Sequence, residues 1–435
     1  MRNNSYKEVT KFNYEAFKVL ILQDILVTYL LSGNRSMSMN QFNISLIIPT
    51  YNCLNELKVL LNSVLNQSHK PNEIIIVDSS NHDEIQDYLD LLQNDIPIFY
   101  IRSSKEYPGE KRNEGAKAAS FNWLAFLDVG TVPRPDWLER NIYLAKKNNT
   151  NVVFGCTKYR AITRTQKLLR AATFGRVGHE TSPGTLVSLD IFNQSGGFIE
   201  GIRAGDDQEW RSQLRDVCSK CVMPADPSLD YSLLPNTFFG MQRKYFIYYL
   251  HSARVRAQKK IRDIYLCAFL LFSMLFLTKW NYLIGGWDSN PLFIPNITKI
   301  FALSLIIVLF IYIIIRRAFE VVGRFNLLNW FAKVLLFTVV SLTVYRWNTE
   351  VIDWVEDSIF FVPHITKIYI LLLFIFSFFY RGVYVPLKLG INYKFIFPGN
   401  WIAVGLIGLS FDLLKTPGIM LGIILAPFQK QLTKL

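Results

Sequence analysis

The chain has 435 residues, with 47 Lys and Arg against 34 Asp and Glu, a net charge of +13, and 51% hydrophobic residues. This excludes a disordered or collagen-like chain. Length alone would allow about two or three soluble domains, but after Ile264 the apolar residues crowd into runs that no ordinary soluble core requires, so the chain reads as a soluble half followed by a membrane half. Much of the basic charge flanks those runs, which points to a membrane surface rather than to nucleic acid. The cysteines are scattered apart from Cys218 and Cys221 in C-S-K-C, which lacks the further ligands of a zinc site, and they read as reduced thiols.

Residues 1–43 are an N-terminal extension. Its apolar stretch from Ala16 to Leu31 is interrupted by Lys18, Gln23 and Asp24, too polar to span a bilayer and without a signal-peptide cleavage site. An amphipathic interfacial helix and a start nearer Met37 or Met39 both stay open. From Ile44 the pattern alternates between strand and helix. I-S-L-I-I-P is a short apolar run ended by Pro49 and followed by a helix from about Asn55 to Asn66. Further strands are expected at Glu73 to Val77, Ile98 to Arg102 and Trp123 to Leu127, with a helix near Glu110 to Phe121. Polar residues cluster where these strands end. Ligands of open parallel sheets bind there, so Tyr51, Asp78 and Asp128 are expected to converge on one site. A polar stretch, Gly175 to Thr185, reads as a long loop that could be a lid over the site, with His179 most simply a surface residue.

Residues 226–262 form a juxtamembrane segment. Its aromatic, basic run after Tyr245 suits a helix at the headgroup level. Residues 263–435 form a membrane domain with four to five spans, the secure ones near Ile264 to Ile284, Ile300 to Ile315, Leu327 to Tyr345 and Ile365 to Tyr380. Residues 399–428 are apolar but broken by Asp412, Lys415 and Pro417, and are open between a fifth span, a re-entrant pair and an interfacial hairpin. Lys333 is a candidate polar contact inside the bundle. Arg254, Arg256, Lys259, Lys260 and Arg262 precede the first span, whereas residues 285–298 carry no Lys or Arg, which places the soluble half on the cytoplasmic side of an inner or plasma membrane.

The run S-L-I-I-P-T-Y-N-C-L-N-E-L, then E-I-I-I-V-D-S-S, G-E-K-R-N-E-G-A-K-A-A, W-L-A-F-L-D-V-G-T-V-P-R-P-D-W-L-E and G-G-F-I-E-G-I-R-A-G-D-D-Q-E-W-R, closely resembles the family 2 glycosyltransferases. The resemblance implies a GT-A type α/β domain with a mainly parallel sheet over residues 44–225, ahead of an all-α membrane bundle. It implies a nucleoside diphosphate sugar donor held by Pro49, Thr50, Tyr51, Asp78, Arg112 and Asp128, with Asp78 accepting a hydrogen bond from the base; an imide N–H such as uracil's suits a carboxylate, so a UDP-sugar is favoured. Lys111 is a weaker donor-side candidate. Asp128 matches the first acid of the family's D-x-D and is the expected ligand of a divalent cation, Mg²⁺ or Mn²⁺. Gly130 stands where the second acid belongs, which removes one hard oxygen ligand.

Asp206 and Asp207 match the family's acidic pair, the second of which is implied to be the general base, so Asp207 is the catalytic candidate. Asp206 reads as an acceptor-side residue or a helix cap, and Trp210 as an acceptor-side or a core residue, with core slightly favoured. Q-R-K-Y-F at Gln242 lacks the Arg and Trp of the processive relatives' Q-x-x-R-W, so long-polymer synthesis is not expected. The chain therefore reads as an inverting enzyme that moves one sugar to a lipid-linked or membrane-proximal acceptor, in cell-surface polysaccharide or glycolipid assembly. Two alternatives stand beside this: a polyprenyl-phosphate sugar synthase, for which Arg243 or Lys244 could supply charge, and a catalytically silent scaffold, motivated by Gly130.

Overall fold

The computed structural model describes residues 42–252, 254–283, 291–320, 324–354 and 365–425. The amphipathic helix considered for the N-terminal extension lies outside them. The first half follows the expected alternation: β1 (Ile44–Thr50), α1 (Leu54–Leu65), β2 (Glu73–Asp78), α2 (Glu84–Leu91), β3 (Ile98–Arg102), α3 (Pro108–Ala118) and β4 (Trp123–Phe126). β1 and β2 are buried at every position, which is why they read as unbroken apolar runs rather than as alternating ones. β5 (Thr131–Pro133), α4 (Trp137–Asn148), β6 (Val152–Tyr159), α5 (Arg164–Ala172), β7 (His179–Ser188), α6 (Leu189–Gln194), α7 (Asp206–Val217) and β8 (Leu229–Tyr231) complete a single sheet of order β3-β2-β1-β4-β7-β6-β8-β5. Strands β3, β2, β1 and β4 are parallel, while β7 runs antiparallel to β4 and β6. Apolar cores lie on both faces: Leu57, Leu60 and Trp137 pack on one, Phe192, Trp210 and Leu214 on the other.

β7 overturns the expectation of a loop from His179 to Thr185, while Gly175 to Gly178 do form a turn. Its hydroxyls are used within the sheet: Thr181 Oγ1 lies 2.6 Å from Thr157 Oγ1 across the ladder, and Thr185 Oγ1 accepts from Gly155 N at 3.1 Å. Cross-strand hydroxyl bonds let a stretch of Thr and Ser stand as strand. His179 is not a free surface residue either; its ring sits against Tyr159 and Phe174, with Nε2 2.6 Å from Phe174 O.

The C-terminal half is helical: α8 (Phe238–Ser252), α9 (Lys259–Leu283), α10 (Asn296–Glu320), α11 (Arg324–Trp354), α12 (Ile365–Phe379) running through a π turn at Tyr380–Tyr384, α13 (Val385–Lys388), α14 (Tyr393–Ile396) and α15 (Asn400–Leu425). Among the described residues four helical stretches are long and apolar enough to cross a membrane: Ile261–Tyr282, Asn296–Ile315, Ile368–Lys388 and Asn400–Leu425. The expected span from Leu327 to Tyr345 falls within α11, where Lys333 is exposed rather than inside the bundle.

The stretch open between span and hairpin is one helix as far as Leu425, because its polar interruptions are satisfied internally. Asp412 accepts from Arg381 Nε at 2.6 Å and Nη2 at 2.5 Å, and from Lys415 Nζ at 2.7 Å. α15 also packs along α8, and a third core joins Leu169, Leu234 and Met241 to Ile391, Val404 and Phe411. The membrane half is thus fused to the sheet domain through shared apolar contacts.

Candidate active site

Arg112 is the hub of the site. It is carried by α3, whose start is set by Pro108 in the first turn and by Glu110, which accepts from the Tyr107 N–H at 3.2 Å. Gly115 lets the helix lie directly on β1, since an added Cβ would stand 2.6 Å from Ile47 Cγ2. The buried guanidinium donates through Nη2 to both oxygens of Asp128, at 2.5 and 2.7 Å, and through Nη1 to Asp206 Oδ2 at 2.8 Å. Burial opposes its charge, but Asp128 and Asp206 more than offset that and hold its pKa above the ordinary value. Two carboxylates share this one guanidinium, and the pKa of Asp206 is raised as well. Burial pushes its carboxyl up, and Asp207 and Asp128 add to the rise against the pull of Arg112.

Asp207 differs from its neighbour in being available. Gly205, with φ +89°, turns the chain into α7, and the next two residues diverge: Asp206 faces Arg112 with a side chain 8% exposed, while that of Asp207 is 32% exposed. Asp207 Oδ1 accepts from Gln208 N at 2.8 Å, and among the described residues Oδ2 has only a long contact, 3.5 Å, to Arg211. Both acids open onto a cavity of about 310 Å³. Arg112, Asp128, Asp206 and Asp207 line one side of it, and Tyr159, Tyr231, Tyr248 and Lys244 are also in its wall. Burial raises the pKa of the three tyrosines, that of Tyr231 to about 12, so all three present neutral hydroxyls.

The ends of β1 and β2 are organised differently. Asp78 is fully buried; Oδ1 accepts from Thr50 Oγ1 at 2.8 Å and Ser80 Oγ at 2.6 Å, and Oδ2 from the Tyr100 hydroxyl at 3.1 Å. Its carboxylate therefore braces two strand ends. Pro49 and Thr50 are buried beside it, whereas Tyr51 is 54% exposed. Lys111 Nζ donates to Thr50 O and Ser79 Oγ, both at 2.8 Å, and lies 5.7 Å from the centroid of the Tyr51 ring. Burial lowers the pKa of Lys111 to about 8. Tyr51, Asp78 and Asp128 thus sit on neighbouring strand ends, yet of the three only Asp128 lines the cavity.

Trp210 is not brought to the site. It is fully buried among Phe126, Phe192 and Phe198, and its Nε1 donates to Ser195 Oγ at 3.1 Å.

The donor set does not fit a resident divalent cation. Asp128 gives both oxygens to Arg112. The residues after it form a tight turn, closed by Thr131 N–H to Asp128 O at 3.0 Å, that holds Gly130 at φ +90°. A side chain there would be strained, and its Cβ would stand 2.6 Å from Leu233 Cγ. The space of the second acid is occupied by leucine.

The family model described as Glycosyl transferase family 2 matches residues 45–203. The chain carries a family 2 glycosyltransferase domain. An uncharacterized glycosyltransferase of Rickettsia conorii is 30% identical over 179 residues, 39% of this chain and 29% of that protein. The chondroitin synthase of Escherichia coli is 29% identical over 120 residues, 27% of this chain and 17% of that protein. The chain thus spans less than a third of the length of the three Rickettsia relatives it matches. Among solved structures, S. aureus TarS 1-349 aligns at 18% identity with a TM-score of 0.37, covering 48% of this chain and 66% of that one, a likeness too weak to argue from.

The glycosyltransferase domain also has site residues that sequence reasoning did not single out. Tyr159 and Tyr231 come from β6 and β8, and Tyr248 from α8, where it reads as part of an interfacial helix. For Tyr159 and Tyr231 the local signal was an aromatic at the end of a strand.

Proposed function

We propose that the protein transfers a single sugar from a nucleoside diphosphate sugar, most simply a UDP-sugar, to a lipid-linked or membrane-proximal acceptor with inversion. The observation that carries this reading is the asymmetry of the acidic pair: Asp206 is tied to Arg112, while Asp207 offers a half-open carboxylate to the cavity. In the proposed mechanism Asp207 is the general base. It takes the proton of the acceptor hydroxyl as that oxygen bonds to the anomeric carbon, and the bond from that carbon to the β-phosphate oxygen breaks with its electron pair leaving on the diphosphate. Attack opposite the leaving group inverts the centre.

The nucleotide lies across the ends of β1, β2 and β4. Tyr51 and Lys111 meet the base; Asp78 positions that end through Thr50 and Ser80; Asp128, oriented by Arg112, meets the ribose and sugar. No step is assigned to a metal ion, because the donors present do not form a site for one.

The acceptor class rests on the cavity wall. α8, which supplies Tyr248 and Lys244, packs its other residues on a candidate membrane helix, Tyr245 stacking on Phe411 with centroids 4.6 Å apart. An acceptor confined to the bilayer surface would reach Asp207 from that side. The basic run before the first span argues for a cytoplasmic catalytic domain.

The test uses membranes containing the protein, labelled UDP- and GDP-sugars, and lipid extraction. Label is expected in lipid and is expected to fall by roughly 10²–10⁴-fold in Asp207→Asn; the acid lability of the product separates a lipid-phosphate sugar from an extended saccharide. If no donor labels lipid even with native lipid extract added, and the variant matches wild type, the silent-scaffold reading replaces this one.

A further inference from the structure

If the protein transfers sugar from a nucleoside diphosphate donor, positive charge is needed where the diphosphate departs. The usual suppliers are accounted for. Arg112 is consumed by Asp128 and Asp206, and the turn at Gly130 together with Leu233 closes the place of a second metal-binding acid. One further ammonium stands close by. Register places Tyr231 opposite Thr131, the residue after Gly130, and Ser232 N–H donates to Gly130 O at 3.0 Å. Lys244 Nζ lies 5.4 Å from the centroid of that Tyr231 ring and 5.9 Å from that of Tyr248. Its ammonium therefore faces the ring of the residue paired with Thr131, in the wall of the cavity that Asp128 also lines.

Lys244 makes no ion pair with a carboxylate among the described residues. Burial lowers its pKa with no acid opposing the shift. A half-buried ammonium over ring faces is favoured further when a ligand brings negative charge to it. Arg203, also in the cavity wall, is a second cation without a carboxylate partner among the described residues.

We infer that Lys244 is a phosphate-binding residue of this cavity that holds the donor's diphosphate in place of a divalent cation, so that nucleotide binding and transfer proceed without metal. As the bond from the anomeric carbon to the β-phosphate oxygen breaks, the electron pair stays on that oxygen and its charge is met by the Lys244 ammonium; the acceptor's proton goes to Asp207. The tyrosine hydroxyls of the cavity are neutral donors to the same oxygens. The position suits this role because Lys244 shares a cavity with Asp128 and Asp207, which Tyr51 and Lys111 do not line.

This inference rests on the proposed transfer reaction, and its test separates the two. The full chain in lipid nanodiscs is titrated calorimetrically with UDP, UMP, GDP and GMP, in EDTA and in Mn²⁺, and transfer is assayed in the same two buffers. One of the diphosphates is expected to bind wild type in EDTA within about threefold of its affinity in Mn²⁺. Lys244→Met is expected to weaken that diphosphate by roughly tenfold or more, as for loss of one hydrogen bond to a charged group, while leaving the monophosphate unchanged; Lys244→Arg is expected to restore it. Intact monophosphate binding shows that the Met variant is folded. The inference is overturned if EDTA abolishes diphosphate binding, or if Lys244→Met leaves diphosphate affinity unchanged. If the second result comes with a raised acceptor KM, the lysine serves a phosphate on the acceptor instead. Should wild type bind no nucleotide in either buffer, the transfer reading itself fails.

Discussion

Arg112 in the sheet domain sits between two carboxylates, Asp128 and Asp206, whereas in the membrane half Asp412 sits between two cations, Arg381 and Lys415. The distances are alike, 2.5 to 2.8 Å in both, but the surplus charge has opposite sign and a different fate. The membrane cluster is closed. Lys415, its second cation, donates to the Tyr265 hydroxyl at 3.1 Å and lies over the Tyr265 and Tyr249 rings, so the surplus is met by neighbouring protein groups. The sheet-domain cluster opens onto a cavity that Arg112, Asp128 and Asp206 all line beside Asp207, so its charges face a space that a ligand could enter. In low dielectric an ion cluster that joins helices is best completed from within, and one that does chemistry is left incomplete on its ligand side.

Removing the central arginine is the harshest way to probe that contrast. Arg112→Met leaves two acids facing each other in a buried site and is expected to cost about 3–5 kcal/mol, seen as a lower Tm of the full chain in nanodiscs. Arg381→Met leaves Asp412 still paired to Lys415, and the expected cost is about 1.5–3 kcal/mol. A larger loss for Arg381→Met would reverse the comparison.

A milder probe uses pH. The Asp206 carboxyl is raised from an ordinary value of 3.8 to about 7, so its favourable contribution is complete below the lower value and is lost as pH rises through the upper one. The Tm of wild type minus that of Asp206→Asn should therefore be more positive at pH 5 than at pH 8; an unchanged difference would mean that the carboxyl is not raised. The gentlest change is Tyr265→Phe, which removes one hydroxyl from the closed cluster and should cost about 0.5–1.5 kcal/mol, with no effect on transfer if that cluster is purely structural.

Much of the catalytic half was legible in the sequence because its signals are local. The parallel strands β1, β2 and β4 are apolar runs ended by polar residues, and the acidic pair sits where a glycine turns the chain into a helix. What misled was polarity read without partners. His179 to Thr185 looked like loop because the cross-strand hydroxyl bonds that make it strand involve β6, more than twenty residues earlier, as the separation of 24 between Thr157 and Thr181 shows. Asp412 and Lys415 looked like breaks in a span because Arg381, which completes them, is 31 residues from Asp412. Asp78 looked like an open acceptor because Tyr100, which helps close it, arrives from the next strand.

By itself, then, the sequence determined the alternating α/β pattern, the family motifs with their missing second acid at Gly130, and a C-terminal half apolar enough for a membrane, since periodicity, composition and turn chemistry are properties of neighbouring residues. Tertiary structure decided that Trp210 is core, that Asp206 and Asp207 divide into a bound and an available carboxylate, that Leu233 fills the place beside Gly130, and that Lys244 lies against the ring of Tyr231. Each of those depends on which side chains meet across elements, which is set by strand register and helix packing rather than by any local pattern.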